Sequence, residues 1–217
     1  ELFYITTNGE WKKYGAHFEL LEDAYLDIDA WISCAISLGY SEIILQGHSL
    51  GTIKVIRYMF EGSYKERVKK IILLAPFDRT YLIERFAPGK WENFVEIAKQ
   101  KVLEGKADEI IPTEFDEVAM SYKTYVSWHD ENDYQHMFDF YDKDYTYPIL
   151  NKIELPVKVI VGTKDEYLYP SNPDHPEKAI ETLKRNIKHF SYKLIDGAEH
   201  SFSGYEKIIA SEVSDFT

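Results

Sequence analysis

A serine bracketed by two glycines is the feature of this sequence that points most directly to chemistry. The run at 47–51 reads Gly-His-Ser-Leu-Gly, after a short β-branched apolar segment and before a helical pattern. Strand, bracketed serine and helix in this order are typical of a nucleophile elbow, a tight turn that projects the Ser49 hydroxyl from a sheet edge. We expect Gly47 and Gly51 to remove bulk that would collide with neighbouring backbone. We expect the Leu50 N–H to be one oxyanion donor.

A serine hydroxyl needs a base to take its proton, and the sequence offers a base and an acid after two later strands. Asp165 follows an apolar run at 157–161, and His200 follows a run at 190–195. The carboxyl ends of parallel strands meet at one edge of a sheet, so Ser49, Asp165 and His200 are expected to meet there. In this arrangement His200 is the base, and Asp165 orients its imidazole.

Other residues compete for these roles. Glu166 is the nearest rival for the acid, and Asp142 and Asp144 are more remote ones. An inert serine in a glycine-bracketed turn is the alternative to a nucleophile. The other histidines do not follow the last strand, and we expect His48, within the elbow, to point away from the serine. These six other histidines are His17, His48, His129, His136, His175 and His189.

The elements that must position these residues alternate between strand and helix. This alternation predicts an α/β fold with a doubly wound, mostly parallel sheet. In the helical pattern at 18–38, Leu21, Trp31 and Ile32 belong to a stripe that is expected to face the core. The predicted strands are 42–46, 68–74, 157–161 and 190–195, and the predicted helices are 18–38, 50–61, 176–187 and 204–215.

Between the second and third predicted strands the pattern changes. Residues 77–147 are acidic, rich in aromatic side chains and without a clear buried strand, which predicts an inserted lid or cap. The α/β core is then assigned to 1–76 and 148–217. Trp128 and Tyr125 are candidates for lining a substrate pocket, since such walls are largely apolar. The alternative is that these rings pack a small core within the lid.

The three motifs together resemble the α/β-hydrolase superfamily of serine esterases and lipases. Residues 47–51 look like its elbow, 162–165 like its acid loop and 197–202 like its histidine loop, within a resemblance that covers about 15–76 and 148–217. Leu73-Leu74-Ala75-Pro76 and Asp165-Glu166 are faintly similar to siderophore-ester hydrolases related to fusarinine C esterase.

The resemblance also implies something about the start of the chain. The family's sheet begins with several strands before the elbow, and a loop among them supplies the second oxyanion donor. About forty residues precede the elbow here, so we expect those N-terminal strands to be missing from this chain. The segment Leu2–Thr6 is expected to be the tail of one of them.

Composition narrows the function further. The formal net charge is −12 with a sequence pI near 5.1, which argues against a nucleic-acid partner. No apolar stretch is long enough to span a bilayer, and the single cysteine, Cys34, favours a cytoplasmic setting. No metal motif is present and no cofactor is implied.

The sequence therefore predicts a serine hydrolase of a small-molecule carboxylic ester. The alternatives are a serine peptidase, a thioesterase, or a ligand-binding protein without catalysis on the same fold. Substrate and oligomeric state are left open.

Overall fold

The computed structural model describes residues 3–7, 10–130, 136–140, 142, 144–168 and 177–217 of the chain. These residues fall into two compact units. We call the first, Glu1–Ala24 with Thr80–Gln135, the hairpin unit, and the second, Tyr25–Arg79 with His136–Thr217, the sheet unit.

Four parallel strands form the centre of the sheet unit. In spatial order they are β3 (Ile43–His48), β4 (Val68–Leu74), β5 (Val157–Gly162) and β6 (Phe190–Ile195). Every residue of β5 is buried, as are most residues of β4, whereas β3 and β6 are only partly covered. This difference follows from the order, since the two inner strands are the apolar runs that have neighbours on both sides.

Helices follow the strands, as the alternating pattern predicts. Among the described residues, α2 (Leu50–Glu61), α6 (Glu177–Asn186) and α7 (Glu206–Phe216) lie wholly in this unit, and α1 (Ala24–Ser37) lies in it except for its first residue. A core cluster that includes Ile72, Ile160 and Phe202 is fully or almost fully buried, and Ile209 and Val213 of α7 pack against it. The doubly wound parallel fold predicted from the sequence is confirmed.

The hairpin unit contains a two-stranded antiparallel sheet of β1 (Phe3–Thr7) and β2 (Glu10–Tyr14). It also holds α4 (Trp91–Leu103) and α5 (Tyr122–His129), while α3 (Arg79–Phe86) begins at the last residue of the sheet unit. Ser121 begins α5 by accepting a hydrogen bond from the Thr124 N–H through its side chain. The role of 77–147 as a lid stays a prediction.

Three expectations about the first forty residues need correction. The described part of Leu2–Thr6 lies in β1 and pairs with β2, so it is not a strand of the parallel sheet. The helix predicted from residue 18 begins as α1 at Ala24, after two short 3-10 turns. Trp31 was expected to face the core but is 76% exposed, whereas Ile32 is buried.

Within the described residues, none of the helices is both long and apolar enough to cross a membrane.

Candidate active site

The strand register brings three loops to one edge of the sheet. His48, the last residue of β3, pairs with Leu74, which in turn pairs with Ile160 of β5. Gly162, at the end of β5, pairs with Ile195 at the end of β6. Ser49 therefore begins the first loop, while Asp165 and His200 lie three and five residues beyond the ends of their own strands.

Ser49 lies in a strained turn between β3 and α2. Its backbone angles, φ 55° and ψ −125°, fall in a region that non-glycine residues rarely adopt. The surrounding structure holds this conformation at both backbone groups. The Ser49 N–H donates to the Leu74 carbonyl at 2.9 Å, and Thr52 donates to the Ser49 carbonyl through its N–H at 2.9 Å and its hydroxyl at 2.6 Å.

The two glycines of the elbow differ in what they do. A Cβ at Gly47 would lie 2.2 Å from the Gly51 carbonyl oxygen, so the turn requires glycine there. A Cβ at Gly51 would have no neighbour within 4 Å outside its own helix. The expectation that Gly51 avoids a steric collision is therefore wrong, because its position already lies in the first turn of α2 and faces open space.

The side chains of Ser49, His200 and Asp165 form one hydrogen-bonded chain. His200 Nε2 lies 2.8 Å from Ser49 Oγ, and His200 Nδ1 lies 2.9 and 3.1 Å from the two carboxylate oxygens of Asp165. An ionised carboxylate only accepts, which assigns a proton to Nδ1 and leaves Nε2 of the neutral ring free to accept from the serine hydroxyl. Asp165 is fully buried and His200 is 8% exposed, so little water competes for these bonds.

The acid loop and the histidine loop are joined by their backbones. The Thr163 N–H donates to the Ile195 carbonyl at 3.0 Å, and the Lys164 N–H donates to the Ala198 carbonyl at 2.9 Å. A Cβ at Gly162 would lie 2.2 Å from that same Ala198 oxygen, so the two loops approach closely only because residue 162 is glycine. The sequence analysis did not identify this requirement.

Thr163 adds a side-chain link between the same loops. Its hydroxyl oxygen accepts from the Gly197 N–H at 2.8 Å and lies 3.1 Å from an Asp196 carboxylate oxygen, to which it donates. Gly197 has φ 76°, a left-handed conformation that suits glycine. A threonine directly after a strand that ends in glycine is the sequence signal that identifies this link.

Glu166, the rival for the acid, contacts the main chain of His200 and not its ring. One Glu166 carboxylate oxygen accepts from the His200 N–H at 2.9 Å. On the other side of the same residue, His48 Nε2 lies 2.8 Å from the His200 carbonyl oxygen. A carbonyl only accepts, so His48 donates from Nε2.

Aromatic rings surround the imidazole of His200. The Tyr167 ring centroid lies 4.5 Å from that of His200, and the Phe77 ring meets it edge-on at 6.1 Å. Phe77 is 5% exposed, whereas Tyr167 is 36% exposed. The pair gives the base an apolar flank, which the sequence analysis did not single out.

The remaining sequence candidates lie elsewhere. The carboxylates of Asp139 and Asp142 accept from the Asp142 and Asp144 N–H groups, respectively, and residues 142 and 144 are exposed. In the hairpin unit, Tyr125 is fully buried and Trp128 is 8% exposed, and the Tyr125 ring packs against Phe115 and His129. That packing favours the alternative in which these aromatic side chains form a core of their own.

Among the residues that the structure describes, no group of three His, Cys, Asp or Glu side chains is arranged to hold a metal ion. His175 and residues 131–135, 141 and 143 of the predicted lid lie outside the described residues.

Comparison with known proteins places this geometry in context. A family model described as "Protein of unknown function (DUF1749)" matches residues 24–214. No curated protein matches the sequence at a significant level.

Solved structures that resemble the chain share its fold at low sequence identity. A monoacylglycerol lipase from Paleococcus ferrophilus has a TM-score of 0.59 and 19% identity over 94% of this chain and 81% of its own. Est1E from Butyrivibrio proteoclasticus has a TM-score of 0.55 and 19% identity over 94% of this chain and 71% of its own. The α/β hydrolase GrgF from Penicillium sp. sh18 has a TM-score of 0.59 and 13% identity over 91% of this chain and 72% of its own.

Proposed function

This chain belongs to the DUF1749 family and has the α/β-hydrolase fold, and from that premise we propose that it is a serine hydrolase that cleaves a carboxylic ester. The observation that carries the proposal is the unbroken chain of hydrogen bonds from Asp165 through His200 to Ser49. A buried carboxylate, an imidazole and a serine hydroxyl in that order are the parts that acyl transfer needs.

Each residue then has a defined task. Ser49 Oγ attacks the ester carbonyl carbon while His200 Nε2 takes the hydroxyl proton. The imidazolium gives that proton to the departing alcohol, which leaves an acyl group on Ser49. A water molecule then loses a proton to His200 as its oxygen attacks the acyl carbon. The bond from that carbon to Ser49 Oγ breaks, His200 returns the proton to Oγ, and the carboxylic acid is released. Asp165 holds Nδ1–H throughout and stabilises the charged ring.

The Leu50 N–H is the oxyanion donor that we assign to this chain. Leu50 is the first residue of α2, and the first N–H groups of a helix have no partner within it. No described residue accepts from this N–H. The positive end of the helix dipole lies at the same place, which favours negative charge on the substrate oxygen.

Esters are the first substrate class to test, because they are cleaved more easily than amides and the elbow itself does not separate the two. The apolar flank that Phe77 and Tyr167 give to His200 favours an apolar group on the substrate. The similarity of two short motifs to siderophore-ester hydrolases makes such esters a second class for the panel.

The experiment that tests the proposal combines a fluorophosphonate probe with ester turnover. We expect the parent protein to be labelled and to hydrolyse p-nitrophenyl esters of some chain length, and Ser49→Ala to lose both. Asp165→Asn keeps the shape of the site but not the charge, so its kcat should fall by about 10³- to 10⁴-fold. A folded parent protein that neither takes the label nor turns over any ester, thioester or amide in the panel would refute the proposal and favour a binding protein.

A further inference from the structure

We propose that His48 and Glu166 are positioning residues that hold the main chain of His200 from both sides, a role that rests on the proposed function. Neither residue is part of the hydrogen-bonded chain of Asp165, His200 and Ser49. Each instead contacts a backbone group of the base, one the N–H and the other the carbonyl. We call these two hydrogen bonds the His200 clamp.

The N–H side of the clamp uses the residue next to the acid. Asp165 binds the His200 ring, and the following residue, Glu166, accepts the His200 N–H at 2.9 Å. Two adjacent carboxylates of one loop therefore hold two different parts of one residue. Hydrogen bonds to charged acceptors are the stronger class, which suits a bond that must hold a loop in place.

The carbonyl side of the clamp uses the residue next to the nucleophile. Ser49 meets the His200 ring at Nε2, and His48, one residue earlier, donates to the His200 carbonyl at 2.8 Å. The His48 ring also packs against the rings of His200 and Phe202, with centroids 5.2 and 5.9 Å apart. Because β3 ends at His48, the clamp ties the end of the nucleophile's strand to the base itself.

The exposure of the His48 and Glu166 side chains favours a role in positioning His200 over a role in stabilising the fold. His48 and Glu166 are both in the exposed class, whereas Asp165 and His200 are buried. An exposed side chain contributes little to a hydrophobic core, so its removal changes overall stability little. The position of a reacting group is far more sensitive, and a misplacement of about 1 Å can cost two orders of magnitude in rate.

The test removes each half of the clamp and pairs the removal with a variant that keeps it. His48→Phe keeps an aromatic ring but cannot donate, and an open apolar cavity beside residues 48 and 202 leaves room for it. Glu166→Ala removes the acceptor. His48→Gln and Glu166→Gln retain a donor and an acceptor, respectively. His189→Phe and Glu42→Ala make similar changes at exposed positions away from the site.

Two readouts are measured on every variant. The first is kcat and KM for a p-nitrophenyl ester, and the second is hydrogen–deuterium exchange of the backbone at residues 197–203. We expect His48→Phe and Glu166→Ala to lower kcat about 10-fold with KM changed less than about 2-fold, because both hydrogen bonds go to the main chain of the base. Exchange in that loop should become faster. Both Gln variants should recover most of the parent kcat.

The outcomes separate the clamp from the proposed function. An active parent whose His48→Phe and Glu166→Ala variants match the His189→Phe and Glu42→Ala controls in kcat would overturn the clamp and leave the proposed function standing. Unchanged exchange in both clamp variants would overturn it as well. The proposal would also be overturned if His48→Gln and Glu166→Gln lost as much kcat as His48→Phe and Glu166→Ala, since the hydrogen bonds would then not be responsible for the loss. Failure of the proposed function is a separate result, the absence of Ser49 labelling in the parent.

Discussion

At the scale of single residues, the backbone of Ser49 is strained. A non-glycine residue in such a sparsely populated conformation costs of order 1–3 kcal/mol. Three hydrogen bonds, one from the Ser49 N–H to Leu74 and two from Thr52 to the Ser49 carbonyl, offset that cost. The conformation projects the hydroxyl towards His200 Nε2, so the strain serves the geometry of the site.

The two glycines that flank this serine provide a matched test of the elbow. Gly47→Ala would place a methyl group 2.2 Å from the Gly51 carbonyl, so we expect a loss of more than about 2 kcal/mol in the free energy of unfolding and loss of esterase activity. Gly51→Ala meets open space in the first turn of α2, where alanine is the better helix former, and should fold at least as well as the parent. Urea unfolding of both variants checks this pair. Equal destabilisation by the two substitutions would contradict it.

The sequence predicted which residues meet at the site better than it predicted how they are held. Ser49, Asp165 and His200 follow strand ends, and the structure brings their side chains within hydrogen-bond distance as expected. Their catalytic roles are still proposals. The contacts of His48 and Glu166 were not predicted, because each reaches a backbone group whose direction depends on loop conformation and not on residue type.

At the scale of elements, the site depends on the loop after β5 and the loop after β6. These two loops stay hydrogen-bonded to each other beyond the ends of their strands. Glycine at 162 permits their close approach, and Thr163 links them through both its acceptor and its donor. Strand positions were predictable because the inner strands are short runs rich in Val, Ile and Leu. The exposure of Trp31 on α1 was not predictable. Helical periodicity shows which apolar side chains share one face of a helix, but not which other element covers each of them.

Replacing Thr163 tests how far the two loops determine the geometry of the base. Thr163→Val keeps the shape of the side chain but leaves the Gly197 N–H without its acceptor, so we expect about 1–2 kcal/mol lower stability. We expect kcat to fall about 10-fold as His200 moves relative to Ser49. Thr163→Ser restores the hydroxyl and should recover both quantities. A Thr163→Val protein with parent-like kcat would show that the backbone links of the two loops are sufficient.

At the scale of the whole molecule, the fold class was predictable and the grouping of distant segments was not. The alternation of apolar strands and helices in the sheet unit determines the parallel architecture. The hairpin unit joins residues near the start of the chain to residues a hundred positions later. Examples are the Ser121 N–H that donates to the His17 carbonyl at 2.7 Å and the Leu21 N–H that donates to Ser127 Oγ at 2.8 Å. Such pairings leave no periodic pattern in the sequence.

The stability of the whole chain should depend on pH through the attachment of α7 to the sheet. Glu212 of α7 lies 2.6 Å from the Lys158 ammonium of β5 and 3.0 Å from that of Lys193 on β6. The hydrogen bond from Lys158, followed by that from Lys193, lowers the pKa of Glu212 below its ordinary value of 4.5. The Glu212 and Lys158 side chains are 20% and 10% exposed, so this pair is better shielded from water than most surface pairs.

The lowered pKa of Glu212 determines how its contribution to stability changes with pH. A carboxyl group whose folded pKa is depressed contributes its full stabilisation above the unfolded value of 4.5, and this is lost as the pH falls through the folded value. We therefore expect Glu212→Gln to lower the free energy of unfolding by about 1 kcal/mol at pH 7, with the difference from the parent vanishing in the acid range.

The matched control is Glu154→Gln, whose partner Lys188 is also 2.6 Å away but whose pair is 68% and 61% exposed. Water and salt screen that pair, so its removal should change stability less. Urea unfolding of the parent and both variants between pH 3 and 8 measures the difference. If Glu212→Gln and Glu154→Gln behave alike at every pH, burial does not distinguish the two pairs, and the attachment of α7 must depend on its apolar contacts with the sheet.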